Sequence, residues 1–236
     1  MCGRFTLYAT AEELASLFGL GREDFREEAR YNIAPGQWVV IVRPGRMRSR
    51  ARWGLVPPWA RGAGPREAGP REAGPRPVGP KPINARAEGI AGKPLFRDAL
   101  RHGRCLIPAS GFYEWQGKRP FYIRPVPGPL FAFAGLASAG PEETCAILTT
   151  TPNGLMAPIH DRMPVILAPE AWARWLDPGT PEAEALALLG PCPAEGLVAH
   201  PVSPRVGSVA NEGPGLIAPL PVPKDLFGGP GPPEEA

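Results

Sequence analysis

Glycine and proline cut this chain into short pieces: there are 29 of one and 34 of the other among 236 residues. Proline has no amide hydrogen to give to a helix interior or a central strand, and glycine in either place costs conformational entropy. Long irregular connections between short strands and helices are therefore expected. With 43% hydrophobic residues the chain is still too apolar to be disordered throughout, and its length suits one substantial core.

Strand patterns dominate between the breaks. Trp38 to Arg43 and Arg50 to Leu55 are rich in β-formers on either side of Pro44-Gly45 and read as a hairpin. Cys105–Pro108, Gly111–Trp115, Phe121–Arg124, Leu130–Phe133, Thr144–Thr149 and Pro164–Leu167 read as further short strands. Helices are fewer. Thr10-Ala-Glu-Glu13 has capping-box spacing ahead of Leu14, Leu17 and Phe18, with Gly19 beyond, which predicts a short amphipathic helix. Phe96–Arg101, Pro169–Leu176 and Pro181–Leu189, the last with Thr180 as its N-cap, complete the set. Strand and helix do not alternate regularly, so the expected fold is a single α+β domain. Its sheet should be largely antiparallel and barrel-like, with a few short helices at its flanks. That domain should span residues 2–226. A Gly-Pro-Arg-Glu-Ala repeat makes 61–82 a mobile insertion, and the tail 227–236 is expected to be disordered.

The charge is uneven. Residues 1–125 carry 22 Lys/Arg against 11 Asp/Glu, and residues 126–236 carry 4 against 12. Most of the basic residues are arginine, whose planar fork matches phosphate. That favours an anionic partner for the first half, while a GC-rich genome or a heat-adapted host would give the same composition. Cys2, Cys105, Cys145 and Cys192 form no Cys-x-x-Cys pair, so no metal or organic cofactor is expected. Neither a signal peptide nor a membrane span is legible, and a cytoplasmic monomer with reduced thiols is the expectation.

The chemistry concentrates in a few strips. Removal of Met1 would leave Cys2 with an α-amine and a thiol on adjacent carbons. Such an amine has an ordinary pKa of about 7.7–8.0, low enough to be partly unprotonated near neutrality. It can condense with an aldehyde, after which the sulfur closes a five-membered thiazolidine. Cysteine at position 2 is by itself weak evidence, because cysteine is more often a small buried hydrophobe. Glu114 lies between Tyr113 and Trp115 on an expected strand, where it is either a carboxyl raised by aromatic neighbours into a range useful for proton transfer or an exposed strand residue facing water. His160 has Asp161 and Arg162 beside it to fix its tautomer and to bind a phosphate.

Six strips, in this order, carry a resemblance: Met1–Phe5, Tyr31–Gln37, Arg52–Trp59, Ile83–Glu88, Arg104–Trp115 and Ile159–Ile166. Together they resemble the SOS-response-associated peptidase (SRAP) family from Cys2 to about Leu220. The resemblance implies a sensor of abasic sites in single-stranded DNA that crosslinks itself to the lesion as a thiazolidine and shields it. It assigns Cys2 as nucleophile, Asn84 as the residue holding the terminal amine or adduct, Glu114 as acid/base and His160 as the group that assists sugar-ring opening and crosslink reversal. Arg4, Arg86 and Arg162 would clamp phosphates, and Trp38, Trp53 and Trp59 would stack on bases or wedge beside the lesion. Three features depart from the family pattern: the insertion after Trp59, Ser110 where an acidic residue is common, and Gly89 where a hydroxyl residue is frequent. Two other readings stay open: a cysteine peptidase using Cys2, His160 and Asn84, and a non-covalent single-strand-binding module.

Overall fold

The computed structural model of the chain describes residues 2–20, 28–60 and 81–220. The expected insertion, apart from Lys81 and Pro82, lies outside the described residues, as does the tail 227–236. Among the described residues thirteen strands and four α-helices follow in chain order: β1 Arg4–Leu7, α1 Ala11–Phe18, β2 Arg30–Ile33, β3 Trp38–Arg43, β4 Met47–Trp53, β5 Asn84–Arg86, α2 Pro94–His102, β6 Arg104–Ala109 and β7 Gly111–Gln116. Then come β8 Arg119–Pro125, β9 Phe131–Ser138, β10 Thr144–Thr150, β11 Met163–Pro164, β12 Ile166–Leu167, α3 Pro169–Leu176, α4 Glu182–Ala187 and β13 Leu197–Pro201.

The expected α+β domain with a barrel is what forms. Strands β10, β4, β3, β6 and β9 pair in a ring that closes from β9 back onto β10. Closure leaves these strands without open edges, so their backbone groups stay satisfied in an apolar interior. Every pairing in the ring is antiparallel except β4 with β10. A second, antiparallel sheet runs β13-β8-β7-β1-β2. It packs on the barrel through edge-on aromatic contacts, with Phe5 5.3 Å from Trp53 and 5.8 Å from Phe133, and Phe112 6.0 Å from Phe133.

This packing decides which way each strand presents its side chains. Phe5 lies opposite Phe112 across β1 and β7, and both face the barrel. Glu114, two residues past Phe112, must face the same apolar layer because side chains alternate along a strand. Arg4, Thr6, Tyr113 and Tyr122 take the other face, against the segment around Val202 and Val206.

The helices start at or near the expected positions: α2 begins at Pro94, two residues before the expected Phe96, and α4 at Glu182, one residue after the expected Pro181. In α1 the Thr10 hydroxyl accepts from the Glu13 amide at 3.1 Å, the Glu13 carboxylate accepts from the Thr10 amide at 2.7 Å, and Gly19 ends the helix in the left-handed region. Phe18 stacks on Trp172 of α3, ring centroids 4.6 Å apart. Thr180 is not the cap of α4. Its amide closes a turn onto the Asp177 carbonyl at 3.0 Å, so the helix begins one residue later, with Pro181 as a cap that has no side-chain acceptor. Arg104 is buried and satisfied, donating to the carbonyls of Trp175, Leu100, Asp177 and Thr180, which ties α2 and α3 to the barrel.

Gly111 opens the strand that carries Glu114, and a methyl there would meet the Tyr122 hydroxyl at 2.2 Å and ring carbons at 2.3 and 2.6 Å. Gly111→Ala should therefore destabilise the protein by about 1–3 kcal/mol through overpacking, read as a lower urea midpoint. An unchanged midpoint would mean that β7 and β8 are not locked together as described.

Candidate active site

The site grows from β5. This strand pairs in parallel with β10, Asn84 opposite Ile147 and Arg86 opposite Thr149. The carbonyl just before it, on Ile83, accepts from the Ile147 amide at 3.0 Å and from the Trp53 indole at 2.8 Å, which fixes where Asn84 begins. From there Asn84 Nδ2 donates to the Cys2 carbonyl at 2.8 Å. Asn84 Oδ1 is buried and has no hydrogen-bond partner among the described residues.

Cys2 is 0% exposed, and burial followed by the nearby Glu114 charge pushes its thiol well above the ordinary range. The Glu114 side chain, 3% exposed, is held above the usual carboxyl range by burial, against the opposing pull of nearby positive charge that includes His160. His160 Nε2 stands 4.0 Å from Glu114 Oε2. The loop bearing His160 is pinned on both sides: Gln116 Nε2, two residues along β7 from Glu114, donates to the Pro158 carbonyl at 2.8 Å, and the Arg162 amide donates to His160 Nδ1 at 2.9 Å.

The structure thus brings Cys2, Asn84, Glu114 and His160 together. Arg86 lies exposed on β5, two residues from Asn84 and so on the same face of that strand. The other expected contacts have different occupations. The Arg162 fork meets both oxygens of Glu88, at 2.8 and 2.7 Å, and donates to the Thr149 carbonyl at 2.7 Å. Arg4 turns to the far face of its sheet and donates to Asn32 Oδ1 at 2.8 Å and to the Val206 and Gly207 carbonyls at 2.7 and 3.0 Å. Trp53 is 1% exposed inside the core, where no base can reach it. Trp59 and Trp38 are exposed, at 57% and 39%, and the Arg52 guanidinium lies 5.0 Å from the Trp38 ring. Ser110, in place of an acidic residue, accepts from the Tyr8 amide at 3.1 Å, and Gly89 occupies a left-handed φ of 66°. Among the described residues, a cavity of about 520 Å³ is lined by Ala87, Glu88, Gly89 and Thr150, beside the end of β5.

A sequence model described as SOS response associated peptidase (SRAP) matches residues 1–209. The chain belongs to the SRAP family. The abasic site processing protein YoqW of Bacillus subtilis is 40% identical to this SRAP chain, over 92% of it and 99% of that protein. The abasic site processing protein YedK of Escherichia coli is 32% identical, over 93% and 100%. A crystal structure of a Bacteroides thetaiotaomicron protein superposes with a TM-score of 0.74 at 25% identity, covering 93% of this chain and all of that one.

Within this SRAP fold the residues that sequence reasoning missed are the braces, Glu88, Thr149 and Gln116. Their signals were slight. Glu88 closes the Ile83–Glu88 strip, and Gln116 shares the strand face of Glu114 by alternation. Chemically, the cluster sets a carboxyl and an imidazole, two groups able to give and take protons, beside a residue bearing a thiol.

No helix among the described residues is long and apolar enough to cross a membrane.

The raised Glu114 carboxyl has a consequence for stability. A group whose folded pKa exceeds its unfolded value, about 4.3, contributes most below that value, and its contribution is lost as pH rises through the folded one. Glu114→Gln removes this loss, so the variant should exceed wild type in stability by about 0.5–2 kcal/mol at pH 8, with the gap shrinking toward pH 4. Urea unfolding at pH 4, 6 and 8 checks it, and a gap that is constant or reversed contradicts the assignment.

Proposed function

We propose that this protein captures abasic sites in single-stranded DNA, with Cys2 as the first residue after removal of Met1, through a covalent thiazolidine that shields the lesion. The observation that carries this reading is the Asn84 amide holding the Cys2 carbonyl at 2.8 Å beside the buried Glu114 and His160. Family membership and the names of YoqW and YedK point the same way.

The chemistry divides among these groups. Abasic deoxyribose is mostly a closed hemiacetal, so a proton must leave the C1′ hydroxyl and another must reach the ring oxygen before an aldehyde appears. Glu114 and His160 serve this transfer. The Cys2 amine then adds to C1′, and the carbinolamine loses water to give an imine. The thiol adds last: the Sγ–C1′ bond forms, the C=N bond becomes single, and the thiol proton ends on nitrogen. Asn84 fixes the residue whose amine and sulfur both react, which gives the second step its effective molarity. Arg86, exposed beside the site, is the phosphate contact this arrangement favours.

The order of attack follows from the thiol. A peptidase needs a thiolate nucleophile, whereas burial, and after it the Glu114 charge, disfavours the thiolate of this sulfur. An amine that attacks first and a thiol that adds to the resulting imine suit such a setting, and this weighs against the peptidase reading.

The test is a denaturing gel with a single-stranded oligonucleotide that carries one abasic site. Wild type should give a shifted band that resists heat and detergent, while Cys2→Ala and a form with an extra N-terminal residue should give none. Cys2→Ser should stop at a labile imine, and durable crosslinking by that variant would overturn ring closure. Turnover of a peptide with no shifted band would favour the peptidase, and a complex lost on denaturation would favour simple binding.

A further inference from the structure

Glu114 faces a difficulty that the site must solve. Capture and reversal use it alternately as acid and base, yet its side chain is 3% exposed and has almost no direct access to bulk water. Protons need a route between the carboxyl and solvent, and the side chains next to it supply one. His160 is partly exposed, with Nε2 4.0 Å from Glu114 Oε2, a gap that one bridging water or a small ring rotation spans. On the opposite side of the ring, Nδ1 lies 2.9 Å from Asp161 Oδ1, and the Asp161 side chain is 84% exposed.

Two groups of opposite character face Nδ1 at the same distance. The Arg162 backbone amide, at 2.9 Å, can only donate, and it suits a neutral imidazole whose proton sits on Nε2, toward Glu114. The Asp161 carboxylate, also at 2.9 Å, can only accept, and it suits an imidazole protonated at Nδ1. Each protonation state of the ring therefore has a partner in place and needs no large movement. The frame is stiff: Arg162 is fixed by Glu88 and the Thr149 carbonyl, and Gln116 holds Pro158. Among the described residues the charged and titratable groups facing His160 include Glu114 from β7, Asp161 and Arg162 from its own loop, and Glu88 reaching it through Arg162, with Cys2 beyond Glu114.

We propose that Asp161 is the solvent end of a proton relay, Asp161 to His160 to Glu114, which resets the buried carboxyl between steps. This rests on the covalent reading above. In the loading direction a proton from water, held at Asp161, enters the ring at Nδ1, and the Nε2 proton leaves for the Glu114 carboxylate. Reversal of the same two transfers discharges it. No other bond is made or broken. In this relay Asp161 acts through His160, as a positioning and relay residue.

The experiment uses the full chain with an abasic single-stranded oligonucleotide at saturation. Single-turnover adduct formation and reversal are followed from pH 5.5 to 8.5 for wild type, Asp161→Asn and Asp161→Glu, and binding of an intact single strand is measured beside them. Asp161→Asn should slow the chemical step about tenfold or more, with intact-strand binding within about twofold. Added imidazole should restore much of the rate by delivering protons directly, and Asp161→Glu should stay near wild type. A wild-type rate and pH profile in Asp161→Asn overturns the relay, as does a loss that imidazole does not rescue or one that follows weaker binding. Wild type that forms no adduct overturns the functional reading, and the relay with it.

Discussion

Strand β10 is the member on which both the barrel and the site depend. Its first residues pair with β4, Thr144 opposite Arg52 and Cys145 opposite Trp53, and this closes the barrel. Three residues on, β5 takes over the same edge, also in parallel, and brings Asn84 to Ile147. β4 and β5 thus lie end to end along one edge of β10, and the chain leaves this edge after Trp53 and rejoins it at Asn84. It leaves and returns at adjoining points, because Gly54 donates to the Cys145 carbonyl at 2.8 Å and Leu55 to the Pro82 carbonyl at 3.0 Å. The entropy of closing such an excursion grows only slowly with its length. An insertion of low-complexity sequence between Trp59 and Ile83 therefore leaves Asn84 where the pairing puts it.

The same fold treats its buried polar groups in two ways. Arg104 gives its donors to four carbonyls, and the Asn32 side chain accepts from Arg4 and donates to the carbonyls of Val206, Ser208 and Asn211. Both are fully engaged, and both hold distant segments together, as buried polar groups usually must. Asn84 is different: one end of its amide is spent on Cys2, and its buried oxygen has no hydrogen-bond partner among the described residues. Glu114 is different again, an acid placed on the apolar face of its sheet by strand alternation and kept there at an electrostatic cost. Groups whose bonding capacity the fold leaves unspent, or whose charge it penalises, are where binding and proton transfer are to be sought.

What was legible in the sequence follows from how local each signal was. The capping box of α1, the β3–β4 hairpin and both ends of α3 are written within a few residues, and the structure agrees with them. Strands β1, β2, β5 and β13 were not anticipated, since three to five residues with arginine or proline among them give little periodicity and acquire strand geometry only from distant partners. The four central site residues were legible as separate strips, but their meeting depends on pairings across 82 positions for Asn84 with Cys2. Arginine was the harder case. A sequence shows a cation and not its partner, so nothing local indicated that Arg162 spends its fork on Glu88, 74 residues away, or that Arg4 turns to the face opposite Glu114. Trp53 shows the same limit, since its strand predicts one buried face without saying which.

The charge asymmetry between the two halves takes on a second meaning once the pairs are known. Several arginines of the basic half meet carboxylates of the acidic half: Arg43 with Glu143 at 2.9 Å, Arg52 with Glu142 at 3.3 Å and Arg101 with Glu182 at 3.8 Å. Glu212, also from the acidic half, accepts from the Tyr31 amide. Part of what reads as a footprint for a polyanion is thus the two halves of one domain neutralising each other. Each such surface pair contributes only about 0–1 kcal/mol, so the arrangement does not explain the stability of the fold. It does narrow the basic surface open to a DNA backbone, because arginines already facing carboxylates would have to give them up. Arg86 lies exposed on the strand face that presents Asn84, and the proposed capture of DNA would use it, more than the first half's other arginines, to guide a phosphate.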